Sequence, residues 1–123
     1  MASRSITLHC DVPVRDIVCS AIRSYALAAY PEGGSECAQV ARYTLQQLAV
    51  AIEAGITPDS PATEISRRPR AMVKAAFEYY FNCQDDSQGT SSVQQRALFA
   101  GLLDERPVTL ADVQAAAAMD TAG

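Results

Sequence analysis

Two apolar stripes with helical spacing, one on each side of a Pro-Gly break, constrain this chain more than any other feature. Val14, Ile17, Val18, Ala21, Ile22, Tyr25 and Ala29 recur at helical intervals, as do Cys37, Val40, Ala41, Thr44, Leu45, Leu48, Ala49 and Ile52. That is the period of a helix with one buried face. Asp11 and Pro13 supply the start of a helix over about 13–30, and Pro31-Glu-Gly-Gly34 interrupts it. Ser35 followed by Glu36 predicts an N-cap and first turn for a second helix, with Gly55 as its C′ stop.

The remainder reads in the same way. Residues 56–63 are rich in Pro and Ser and are expected to form a loop. A third helix follows from Arg70 to about Asn82, with Met72, Val73, Ala76, Phe77, Tyr80 and Phe81 inward. Gln84 to Ser92 reads as a polar connection. A fourth helix spans 93–103 on Val93, Ala97, Leu98, Ala100, Leu102 and Leu103, ended by Glu105-Arg-Pro107. Thr109 and Asp112 have the spacing of a capping box and start a short Ala-rich helix ending near Met119. Before all of these, residues 4–10 alternate, with Ile6, Leu8 and Cys10 on one side and Ser5, Thr7 and His9 on the other, which is the pattern of a half-buried strand. The expected fold is mainly all-α: about five helices in a compact bundle with one short N-terminal β-strand. The expected organisation is one helical domain over 1–123, with 56–63 separating a two-helix half from a three-helix half.

Composition removes several function classes. Hydrophobic residues make up 49% of the 123 residues and charged residues 20%, which fits a globular core and not a disordered chain. No apolar run reaches the roughly 20 residues of a bilayer span. No basic-then-apolar leader precedes Cys10, Cys19, Cys37 and Cys83, so free thiols and a cytoplasmic location are expected. There is no C-x-x-C and only one histidine, so neither a metal site nor a cofactor is expected. A net charge of −4 repels phosphate backbones over the molecule as a whole, leaving nucleic acid only a local patch. The bases are nine Arg and one Lys, a bias that GC-rich coding produces.

Catalytic sets are equally sparse. His9 is the one histidine, the residue type suited to acid–base work at neutral pH, and on a strand it points away from Cys10. Asp85-Asp86 and Asp104-Glu105 read as solvated loop acids, and Gly33-Gly34 lacks the spacing of a phosphate cradle. No enzyme is expected. The concentrated basic run, Arg67-Arg68-Pro69-Arg70, precedes a helix carrying Tyr79 and Tyr80. Arg and Tyr are the residues that anchor protein interfaces, which makes Arg67, Arg68, Arg70, Tyr79 and Tyr80 a candidate contact surface.

The lone strand followed by two helices, residues 4 to about 54, resembles the ribbon-helix-helix family of DNA-binding regulators. The resemblance implies that β-strands pair between two subunits, that Ile6 and Leu8 fill a dimer core, and that Arg4, Ser5, Thr7 and His9 face DNA. An unpaired strand also favours a homodimer, or strand addition to another protein, in its own right. The leading expectation is a non-enzymatic helical protein-binding module. Its expected setting is that of a phage or mobile-element accessory or inhibitor protein acting on a host complex of bacterial nucleic-acid machinery, such as a CRISPR-type defence complex. The alternatives are the ribbon-helix-helix regulator and a small enzyme.

Overall fold

The break between the first two helices works because Gly33 adopts a φ of +84°, a left-handed conformation open to glycine at little cost. In the computed structural model, which describes residues 4–88 and 92–122 with side chains over 4–83 and 92–121, seven elements follow one another. They are β1 (Ser5–His9), α1 (Val12–Ala29), α2 (Glu36–Gly55), β2 (Ala62–Ser66), α3 (Arg70–Gln88), α4 (Val93–Leu103) and α5 (Leu110–Ala122). The protein is mainly helical, with a small two-stranded antiparallel sheet.

Three helix starts are set by the residues that the sequence marks for them. Asp11 Oδ1 accepts the Val14 amide at 3.2 Å, Ser35 Oγ accepts the Ala38 amide at 3.2 Å, and Thr109 and Asp112 exchange the two bonds of a capping box. Asp11 does more than local pattern shows. Its second oxygen accepts the Leu110 amide at 2.9 Å, so one carboxylate caps the beginnings of both α1 and α5.

The largest departure from the sequence reading lies at 62–66. That segment is a strand, not the end of a loop, and it pairs with β1 in the register Ser5↔Ser66, Thr7↔Glu64, His9↔Ala62. The N-terminal strand therefore finds a partner within the chain. Its other edge is engaged as well. The Thr7 amide donates to Glu105 Oε2 at 2.9 Å, and the His9 carbonyl accepts the Val108 amide at 2.9 Å. Glu105 holds a φ of +67° at the C′ position of a Schellman turn, in which the Arg106 amide reaches the Gly101 carbonyl and the Glu105 amide that of Leu102. Glycine is usual there; glutamate accepts the backbone strain and uses its carboxylate to fasten the edge of β1.

Gly55 also has a different role from the one expected. It is the last residue of α2, and Gly33 is the only described glycine at positive φ, so no left-handed stop is made at 55. A Cβ there would stand 2.7 Å from Thr63 Cβ and closer still to its hydroxyl, so glycine is what lets β2 lie against α2. α3 runs on to Gln88 instead of stopping near Asn82, and residues 89–91 of the expected polar connection lie outside the described residues, as do the side chains of Asp85 and Asp86.

The core gathers Ile6, Leu8 and Ile65 from the sheet, Val14, Val18 and Ile22 from α1, Leu45 and Ile52 from α2, Val73, Phe77 and Phe81 from α3, and Leu102 and Leu103 from α4. α1 packs against both α2 and α3. Phe99, absent from the stripe read on α4, is fully buried, whereas Val93, expected inward, is 55% exposed. Phe99 lies at ring-centroid distances of 5.2 Å from both Phe77 and Phe81. The outer half of the α2 stripe is likewise uncovered, with Cys37 and Val40 in solvent.

A second carboxylate caps a distant helix. Asp120 is buried near the end of α5 and accepts the Gln94 amide at 2.8 Å, the Gln95 amide at 3.2 Å and the Gln95 side chain at 3.1 Å, which closes the N-terminus of α4. Burial pushes its pKa up, but the bonds from Gln94 and Gln95, with Arg96 nearby, outweigh burial and hold it below the ordinary value of 3.8. A carboxyl with a depressed folded pKa adds stability above its unfolded pKa and loses that contribution as pH falls through the folded value. Replacing Asp120 with asparagine should therefore flatten the decline in urea midpoint between neutral pH and pH ~3. Replacing it with alanine should cost about 1–2 kcal/mol at pH 7, the usual worth of a lost cap. An Asp120→Asn protein with the parent's acid limb would remove this assignment.

Candidate functional site

The antiparallel register carries two separately read basic features to one place. Continued one step beyond Ser5↔Ser66, it sets Arg4 opposite Arg67, and the Arg67 amide donates to the Arg4 carbonyl at 2.9 Å. Arg68 follows in the turn into α3, its amide held by Ser66 Oγ at 3.3 Å. Arg4, Ser66, Arg67 and Arg68 line an open concavity of about 750 Å³. Among the described residues none supplies a carboxylate to these three arginines. The acid nearest in sequence, Glu64, accepts the Ser5 hydroxyl at 2.6 Å. Like charges facing each other across a strand pair raise the energy of the folded chain, and an anion between them would reverse the sign.

The other candidates separate from this cluster. Arg70 is spent on Asp104, 2.7 Å away across to the end of α4. Tyr79 and Tyr80 lie nine and ten residues further along α3, roughly 14 Å by helical rise. Tyr80 packs in part on the core with its ring 5.3 Å from Phe81, and Tyr79 meets Tyr25 at 5.9 Å. Arginines and tyrosines read together from the sequence therefore stand apart along α3. Nor does Arg4 belong with Ser5, Thr7 and His9. Those three alternate on the half-exposed face of β1, while Arg4 has the parity of Ile6 and Leu8.

Two smaller hollows also open on the surface. One, of about 250 Å³, lies at the far end of β1 against His9, Cys10, Asp11, Pro61, Pro107 and Val108. Its chemistry is muted, since burial, and after it Asp11, pushes the Cys10 thiol up to about 12, and Asp11 is committed to two helix caps. Burial raises Cys19 too, in spite of Arg23. The other, of about 270 Å³, is a groove between α3 and α4 lined by Lys74, Phe77, Glu78, Arg96, Ala97 and Ala100. No disulfide joins the four cysteines. Among the described residues no three His, Cys, Asp or Glu side chains gather as a metal site, and no helix is long and apolar enough to cross a membrane.

The arginine concavity thus gathers three cations for which the described residues supply no carboxylate. It was half visible in the sequence. Arg67 and Arg68 stand out as a run, but Arg4 joins them only through a strand pairing that the Pro- and Ser-rich stretch conceals. Comparison of the chain with protein-family models, with curated proteins and with solved structures finds no match.

Proposed function

We propose that this chain is a non-enzymatic binding module that docks an acidic surface of another protein through Arg4, Arg67 and Arg68. The observation that carries the reading is that three arginines, just beyond the ends of two paired strands and in the turn that follows, line one concavity without a carboxylate from the described residues. Guanidinium groups grip carboxylates bidentately and are weakly hydrated, which suits them to interfaces. The chain's net charge of −4 opposes a long polyanion while leaving a short acidic segment subject mainly to the local field. The narrower proposal is an accessory or inhibitor protein of a phage or mobile element acting on bacterial nucleic-acid machinery, such as a CRISPR-type defence complex. The preponderance of Arg over Lys, a bias that GC-rich coding produces, supports it.

Affinity capture followed by titration against ionic strength tests the surface. A partner retained by the parent protein should weaken about tenfold or more for each of Arg67→Gln and Arg68→Gln, the loss expected of interface arginines. Arg23→Gln, which breaks an exposed pair with Glu53 at 3.0 Å, should leave capture intact. Removing like charges should not lower the urea midpoint, because substitutions of exposed side chains stay within about 0.5 kcal/mol. Undiminished capture by the Arg4, Arg67 and Arg68 triple glutamine variant would overturn the proposal.

A further inference from the structure

We infer that the group received by the arginine concavity is a phosphomonoester, the phosphorylated serine or threonine side chain of a partner protein, an inference that rests on the docking surface proposed above. The argument is one of charge and valence. Arg4 and Arg67 are held opposite each other by the backbone bond between them, Arg68 adds a third cation, and Arg70 is neutralised separately by Asp104. The α3 helix, whose positive dipole end opens on this turn, has no acidic residue in its first turn. A single carboxylate brings one charge and two oxygens to such a cluster. A phosphomonoester brings a charge of about −1.5 to −2 and three strong acceptor oxygens, enough to engage several guanidinium forks at once.

The internal phosphates of a nucleic acid fit less well. Each diester carries one charge, no aromatic ring lines the concavity to stack a base, and the molecule as a whole is anionic. The space also suits a phosphorylated side chain, since the concavity opens to solvent beyond the strand ends, where an extended peptide can approach.

The test uses the full chain, isotopically labelled, with amide chemical shifts followed during titration. N-acetyl-phosphoserine-N-methylamide and its aspartate counterpart are the two probes, at matched ionic strength, with a single-stranded oligonucleotide as a third. The phosphoserine probe should shift the amides of Ser66, Arg67, Arg68 and Ser5 saturably. It should bind at least tenfold tighter than the aspartate probe and gain affinity between pH 5 and pH 7.5, as the phosphate loses its second proton near pH 6. Arg67→Gln/Arg68→Gln should lose these shifts while retaining the parent spectrum elsewhere. Equal binding of the two probes would overturn the phosphate preference and leave the acidic-partner reading standing. Absence of shifts with both would overturn both readings, and tighter binding of the oligonucleotide would overturn the choice of a protein partner.

Discussion

Phe99→Ala lowers the stability of this protein by about 3–5 kcal/mol, the range for emptying a buried phenylalanine site. The ring is inaccessible to solvent and sits between Phe77 and Phe81, at 5.2 Å from each. Truncation removes the apolar contacts of all three rings and the edge-on geometry that Phe77 and Phe99 share at 62°. A domain of this size is stable by roughly 5–15 kcal/mol in total, so the variant is expected near the margin of folding. Urea unfolding measures the effect as a fall in midpoint at an unchanged slope. Val93→Ala is the control. That side chain is more than half exposed, and its truncation is expected to stay within about 0.5 kcal/mol. The sequence period ranks the two residues the other way, so comparable losses in the two variants would refute the packing described for α4.

Gly55→Ala is the second large effect, and its sign is opposite to that of the usual helix substitution. Alanine in place of glycine within a helix ordinarily stabilises by about 0.5–1 kcal/mol. Here the new methyl would stand 2.7 Å from Thr63 Cβ and inside the contact radius of its hydroxyl, where β2 crosses the end of α2. A net loss of about 1–3 kcal/mol is expected, the cost of overpacking a site that cannot yield without moving backbone. The clash has one identified partner, which makes a double-mutant cycle informative. Combined with Thr63→Gly, the alanine should recover its helical benefit, giving a coupling of about 0.5–3 kcal/mol. Additive losses across the cycle would show that 55 and 63 do not touch.

These two residues also show which parts of the fold a sequence reveals. The helix starts at Asp11, Ser35 and Thr109 were legible because capping is local: donor and acceptor lie three residues apart, and the side chain that caps is itself the signal. β2 was hidden because only Ile65 of its five residues is buried, and Pro58, Pro61 and Arg67–Arg68 around it look like loop chemistry. Asp120 and the second bond of Asp11 were invisible for another reason. They cap helices 26 and 99 residues away in the chain, and no local pattern distinguishes them from solvated acids. α4 misled the period because it is covered on more than one side, so Phe99 and Gly101 are buried while Val93 and Ala97 are not.

The candidate surface follows the same division. Arg67 and Arg68 are legible as a run, whereas Tyr79 and Tyr80 stand off from them because separation in sequence becomes distance along a helix axis. Arg4 was assigned to the outward face with Ser5, Thr7 and His9, and it joins Arg67 instead through a register that required β2 to be known.

The double cap at Asp11 has a bearing on how the chain acquires this structure during vectorial synthesis on a ribosome. α1 and β1 emerge early, yet Asp11 meets Leu110, Thr7 meets Glu105 and His9 meets Val108, all groups made some hundred residues later. At about 5–20 residues per second the early segments wait several seconds for those groups. A nascent chain stalled before residue 105 should thus hold α1, α2 and α3 in a loosened state, its strand edge open to solvent, and close the structure only on release.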